Sequence, residues 1–170
     1  GDGNLYVSTE DSIFQVTEGQ VWQNITPEDA PEKTWLHLIK RPDQLIVSGF
    51  DNGYTLENWE LFFLPDGGEW SRRATPFDAE SYDYGYNKWL LNDGLRLYIH
   101  YGHGYYSDTQ GWTWNTSFIN MHSPQFIAVA GHMVYACEYG SLGRFVLSPK
   151  RWEYLPNLTE TMESMGYDVN

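Results

Sequence analysis

The sequence predicts an all-β protein: a four-bladed β-propeller-like ring of four-stranded antiparallel meanders, closed by its C-terminal strand. Three observations predict it. The 170 residues include 8 Trp, 13 Tyr, 8 Phe, 16 Gly and 8 Pro, a composition of pleated, half-buried strands and tight turns. A short apolar strand recurs four times. After each recurrence comes a Gly- or Pro-containing turn and then a Trp.

The recurring strand reads Leu5-Tyr6-Val7-Ser8, Leu45-Ile46-Val47-Ser48, Leu97-Tyr98-Ile99-His100 and Met133-Val134-Tyr135-Ala136. The tryptophans are Trp22, Trp70, Trp114 and Trp152, spaced by 48, 44 and 38 residues, within the period of propeller blades. A preceding strand is expected at Trp35–Ile39, Lys88–Leu91 and Gln125–Val129. Turns at Arg41–Gln44, Asn92-Asp93-Gly94 and Gly131-His132 join it to the recurring strand. Asp-Gly between two apolar runs is a strong hairpin signal. A further strand, before each Trp, is expected at Ser12–Val16, Leu56–Leu64, Tyr105–Ser107 and Arg144–Leu147. Each unit is then a four-stranded meander, the form of a propeller blade. The first unit lacks its opening strand, and the C-terminal residues 165–170 are expected to supply it. The chain reads as a single domain over 1–170, with blades at 165–170 plus 1–27, 34–76, 87–118 and 124–157. The best helix candidate, Thr159–Ser164, is too short to matter.

The chain carries 10 Lys and Arg against 23 Asp and Glu, a formal charge of −13. That excess argues against a nucleic-acid partner, whose phosphates need basic residues, and against an anionic membrane surface. The single Cys137 leaves no internal disulfide and no multi-cysteine zinc site. The chain begins with Gly1 rather than Met and shows no leader, which reads as a processed product or a fragment, so the sequence assigns no compartment.

The third unit contains Ser107-Asp108-Thr109-Gln110-Gly111-Trp112-Thr113-Trp114. This resembles the Asp-box of sialidase-type propeller repeats, Ser-x-Asp-x-Gly-x-Thr-Trp. Ser107, Gly111, Thr113 and Trp114 match, and Thr109 stands where the family has Asp. The resemblance implies a structural turn between the third and fourth strands of a blade. It carries no catalytic residue: a sialidase needs three arginines and a Tyr–Glu pair, whereas Arg41, Arg72, Arg73, Arg96, Arg144 and Arg151 sit in dissimilar settings.

Successive strands of a meander run in opposite directions, so its connections alternate between the two ends of the sheet. Sorted this way, one end collects 13 of the 23 acids and most of the loop tyrosines. The segment Ala74–Asn87 stands out, its tyrosines alternating with acids. Tyr offers broad contact at low entropic cost, as binding surfaces favour. The expected partner-binding residues are Asp51, Tyr54, Asp78, Glu80, Tyr82, Asp83, Tyr84, Tyr86, Tyr101, His103, Tyr105, Tyr106, Glu138 and Tyr139.

No arrangement of catalytic groups stands out. His100 and His103, with Asp108 and Glu138, lack a convincing ligand spacing. Asp51-Asn52-Gly53 lacks the rest of an EF-hand. No Gly-x-Ser-x-Gly elbow or phosphate-binding Gly loop occurs, and Glu138 beside Cys137 disfavours a thiolate. No catalytic residue, metal or cofactor is expected. Three sequons, at Asn24, Asn115 and Asn157, recur after the blade tryptophans as part of the repeat. The expected function is non-catalytic binding of a basic protein partner, in one version an inhibitor or immunity protein capping a toxin's active site. A carbohydrate-binding lectin is the second expectation and a glycan-acting hydrolase the third.

Overall fold

A computed structural model of the chain describes residues 3–30, 33–51, 59–76, 89–101, 103–107, 109, 111–116, 126–130, 133–138, 141–147, 150–155 and 160. Among them are fifteen strands in four antiparallel sheets. The chain divides into two compact units, Gly1–Tyr84 and Gly85–Asn170, each with two sheets.

In the first unit, β1 (Leu5–Ser8), β2 (Ile13–Val16) and β3 (Trp22–Asn24) form a three-stranded sheet. The second sheet is β4 (Lys33–Lys40), β5 (Gln44–Asp51), β6 (Glu60–Pro65) and β7 (Ser71–Ala74), hydrogen-bonded in that order. Ile13, Ala30, Trp35, Leu45, Val47 and Phe62 form the core between them. β5 is buried along most of its length, which explains its unbroken apolar run rather than an alternation. A bulge in β4 between Trp35 and His37 shifts its register against β5. The Trp35 ring then covers Gly49, where a Cβ would come within 2.7 Å of the indole.

Several polar groups inside this unit have partners, whereas the buried Trp35 Nε1 has none among the described residues. Lys33, nearly buried, places Nζ 2.7 Å from Asp51 Oδ1 and 3.1 Å from Glu60 Oε2, so one ammonium ties three strands together. Two Thr-Pro steps clasp the strand before them. The Thr26 hydroxyl accepts the Ile13 N–H at 2.9 Å and donates to Asn24 Oδ1 at 2.7 Å. The Thr75 hydroxyl donates to the Trp59 carbonyl at 2.8 Å.

In the second unit, β8 (Trp89–Asn92), β9 (Leu97–Tyr101), β10 (His103–Ser107) and β11 (Asn115–Thr116) form one sheet. The other is β12 (Phe126–Ala130), β13 (Met133–Glu138), β14 (Ser141–Leu147) and β15 (Lys150–Tyr154). Tyr98, Tyr106, Ile127, Val134, Ala136 and Phe145 make their shared core.

Two turns here have their own internal wiring. Between β8 and β9, Asp93 Oδ1 accepts the N–H groups of Leu95 at 2.8 Å and Arg96 at 2.6 Å, and Oδ2 accepts the Tyr98 hydroxyl at 2.8 Å. Gly94 takes φ +91°, which a glycine adopts without strain. Burial by itself would raise the Asp93 carboxyl, but these donors and the Arg96 charge outweigh it and hold the pKa below its ordinary 3.8. The same contact, with burial as the larger cause, pushes the Tyr98 phenol upward.

Between β10 and β11 lies the Asp-box-like turn, in the place the resemblance implies. Ser107 Oγ, fully buried, accepts the Gly111 N–H at 2.7 Å. Thr109 Oγ1 accepts the Thr113 N–H at 2.8 Å and meets the Thr113 hydroxyl at 2.8 Å. The Thr109 oxygen thus accepts the backbone N–H of the residue just before Trp114, the kind of local bond a side-chain carboxylate makes in such turns, and the departure from Asp costs the turn no hydrogen bond there.

Several expectations shift in detail. Trp22 and Trp152 lie within their fourth strands, whereas Trp70 and Trp114 stand just before β7 and β11. β6 begins at Glu60, not Leu56. The closing strand at 165–170, and the helix candidate apart from Glu160, lie outside the described residues.

Candidate functional site

Six of the expected partner-binding residues, Asp51, Tyr101, His103, Tyr105, Tyr106 and Glu138, lie among the described residues. Tyr54, Asp78, Glu80, Tyr82, Asp83, Tyr84, Tyr86 and Tyr139 lie outside the described residues. Tyr101, His103 and Tyr105 lie in paired strands rather than in a loop: Tyr101 stands opposite His103, and Tyr105 opposite Ile99. β9 and β10 therefore form a hairpin. Glu138 ends β13, opposite Ser141. Tyr106 is a correction. It is 4% exposed and packs into the second unit's core, its ring centroid 6.4 Å from that of Tyr98. Its position in β10 turns it inward, whereas loop placement would have left it outside. Asp51 is half-exposed but held by Lys33, so its charge is largely answered within the fold.

What the described residues do show is a cleft of about 960 Å³ in the first unit, between its two sheets. One wall is a cross-strand row, with Tyr6 opposite Gln15 and Gln15 opposite Gln23. The other wall is the Leu45–Leu64 pair and the β6–β7 turn, Pro65 to Trp70. Two ties between the sheets frame it. The Trp70 indole N–H donates to the Ile25 carbonyl at 2.7 Å. Lys40 Nζ lies 2.7 Å from Asp66 Oδ1 and 5.8 Å from the centroid of the Tyr6 ring, within cation–π range. The rings of Tyr6 and Trp70 are thereby fixed. Glu28, Asp29, Asp66 and Glu69 also line the cleft, and no Lys, Arg or His does.

Sorting residues by loop end missed this cleft because it is lateral. It takes Glu28 and Asp29 from one end of the sheets and Asp66 and Glu69 from the other. The signal was nonetheless in the strands: alternation puts Tyr6, Gln15 and Gln23 on one face while Val7, Phe14 and Trp22 turn to the opposite one.

The electrostatic pattern of the surface is one-sided. Of the thirteen described acid side chains nine are exposed: Glu10, Asp11, Glu18, Glu28, Asp29, Asp43, Asp66, Glu69 and Glu160. Of the seven described Lys and Arg side chains, Arg72 alone is exposed. The others turn inward or pair: Arg73 stacks 3.9 Å over the Phe63 ring, where burial lowers its pKa, and Arg144 donates to Glu153 at 2.8 Å. Among the described residues there is no cluster of three or more His, Cys, Asp and Glu fit for a metal ion, and no helix is long and apolar enough to cross a membrane.

No protein family model matches the chain, and no curated protein is similar to it. Solved structures are. A streptogramin B lyase shares 15% identity over 93% of this chain with a TM-score of 0.62, and the extracellular domain of a B. thetaiotaomicron protein described as a one component system shares 13% over 92% with a TM-score of 0.57. The chain spans 52% of the lyase and 20% of the second protein. At these identities the likeness concerns the fold. Together with the four antiparallel sheets, it makes the protein all-β with a β-propeller-like fold.

Proposed function

We propose that the protein is a non-catalytic binding module whose partner is a basic protein, in its most concrete form an inhibitor or immunity protein that caps a cationic active site. The observation that supports this reading is the asymmetry of exposure among the described side chains: nine of thirteen carboxylates are exposed, against one of seven cations, Arg72. Such a surface carries a negative field stronger than composition alone conveys. It would attract a basic partner and speed encounter. The acidic tyrosine segment Asp78–Tyr86 would add contact area of the kind interfaces use. The contact between Ser48 and His37, Oγ to Nδ1 at 3.3 Å, gives no support to hydrolysis, because Ser48 is fully buried.

The test is a partner captured at low ionic strength, identified, and titrated across salt. Affinity should fall at least tenfold between about 0.05 M and about 0.5 M salt as the Debye length shrinks. The combined substitution Asp78→Asn, Glu80→Gln and Asp83→Asn should weaken binding without changing the melting temperature. A salt-independent affinity would sink the proposal.

A further inference from the structure

We infer that the lateral cleft of the first unit is a binding site for an uncharged saccharide, a function separate from capture of a basic partner. The cleft's size is that of small-ligand sites, which reach about 1,000 Å³. Its shape is held open by design of the sheet rather than by loose packing. The same two sheets meet in an apolar core around Ile13, Val47 and Phe62, but further along, the same sheet face presents Gln15, half-buried, and Gln23, exposed. Among the described residues neither amide has a hydrogen-bond partner.

The donor and acceptor balance selects the ligand. An anionic ligand such as a phosphate, sulfate or carboxylate finds four carboxylates in the lining and no basic side chain. A cationic group would be met by the carboxylates and the amide oxygens but would leave the amide N–H groups of Gln15 and Gln23 without an acceptor. A hydroxyl both donates and accepts. It can give to Glu69 or Glu28 and take from a glutamine amide, which offers two donors and one acceptor oxygen. The fixed Tyr6 and Trp70 rings supply apolar surface for the C–H face of a sugar ring. Because those rings and both walls are already anchored by Trp70 to Ile25 and Lys40 to Tyr6, little ordering is required on binding.

The experiment is calorimetric titration of the intact chain with neutral trisaccharides of glucose, galactose, mannose, xylose and N-acetylglucosamine, with sialylated and sulfated sugars and a lysine tetrapeptide alongside. At least one neutral sugar should bind, with an affinity that salt does not change, and the charged sugars should not. The Gln15→Leu/Gln23→Leu double variant should weaken that binding at least about tenfold at an unchanged melting temperature. If that variant does not fold, the side-chain amide resonances of Gln15 and Gln23 in the unaltered protein serve instead, and they should shift on titration. No binding by any neutral sugar overturns the inference. So does binding that leaves the two glutamines unaffected, or displacement of the sugar by the lysine peptide. Salt dependence separates this outcome from that of the basic-partner proposal, since each can fail alone.

Discussion

The two ends of one sheet-to-sheet interface make opposite use of the same geometry. Near Phe62 the first unit's sheets close on each other: Phe62 and Trp35 meet edge to face, centroids 5.0 Å apart at 78°, within an apolar cluster. Near Gln15 the same sheets stand apart around a cleft. The difference lies in alternate residues of three short strands. It teaches that a polar side chain between two sheets has to be read by its partners. Where every atom is satisfied, as at Asp93 or Lys33, the group belongs to the fold. Where it is not, as at Gln15 and Gln23, the group is available to a ligand.

Breaking the dry end should have the largest effect. Phe62→Ala removes a buried aromatic and its contact with Trp35, and should cost about 3–5 kcal/mol in chemical denaturation. A loss below about 1 kcal/mol would mean that this end is not the stabilising half.

Asp93→Ala should come next, at about 3 kcal/mol, because it leaves two backbone N–H groups and a phenol without their acceptor. The pH dependence follows from the depressed carboxyl. A group whose folded pKa lies below its unfolded value stabilises fully above the unfolded value and loses that contribution as pH falls through the folded one. Stability should therefore hold down to about pH 5 and decline below the ordinary carboxyl value, and the decline should be shallower in Asp93→Asn.

Gly49→Ala sharpens the comparison further. The new methyl meets the Trp35 ring at 2.7 Å, and overpacking of that kind costs about 1–3 kcal/mol. A variant as stable as the parent would show that the indole has room to move.

Gln15→Leu should do least to stability, within about 0.5 kcal/mol by thermal melting, since no bond is lost. A large destabilisation would place Gln15 among the structural polar groups and dissolve the distinction drawn above.

Most of the fold was legible because local signals agreed. Leu5–Ser8 is a strand with the bounds read from its residues, and Asn92-Asp93-Gly94 is the hairpin turn its Asp-Gly step implies. Boundaries differ at Trp70 and Trp114, which stand just before their strands; the Trp70 indole is held there by its bond to Ile25 of the other sheet. The candidate site was much less legible. Tyr106 falls in the strand expected at Tyr105–Ser107, but which face of that strand enters the core is set only by the pairing of β10 with β9. Gln15 and Gln23 are unremarkable singly. Their meaning depends on a register set by the β2–β3 turn, where Gln20 takes φ +59°, and on a second sheet more than twenty residues further along the chain.

The hydroxyl at Thr109 has a consequence for how the molecule meets acid. A carboxylate in that place would gain a proton as pH drops, and would add one more negative charge to a chain that already has an excess of thirteen. The hydroxyl accepts the Thr113 N–H unchanged across that range. Acidification should therefore loosen the connection after β8 while the one after β10 stays shut, so that the two edges of one four-stranded sheet respond differently to acid.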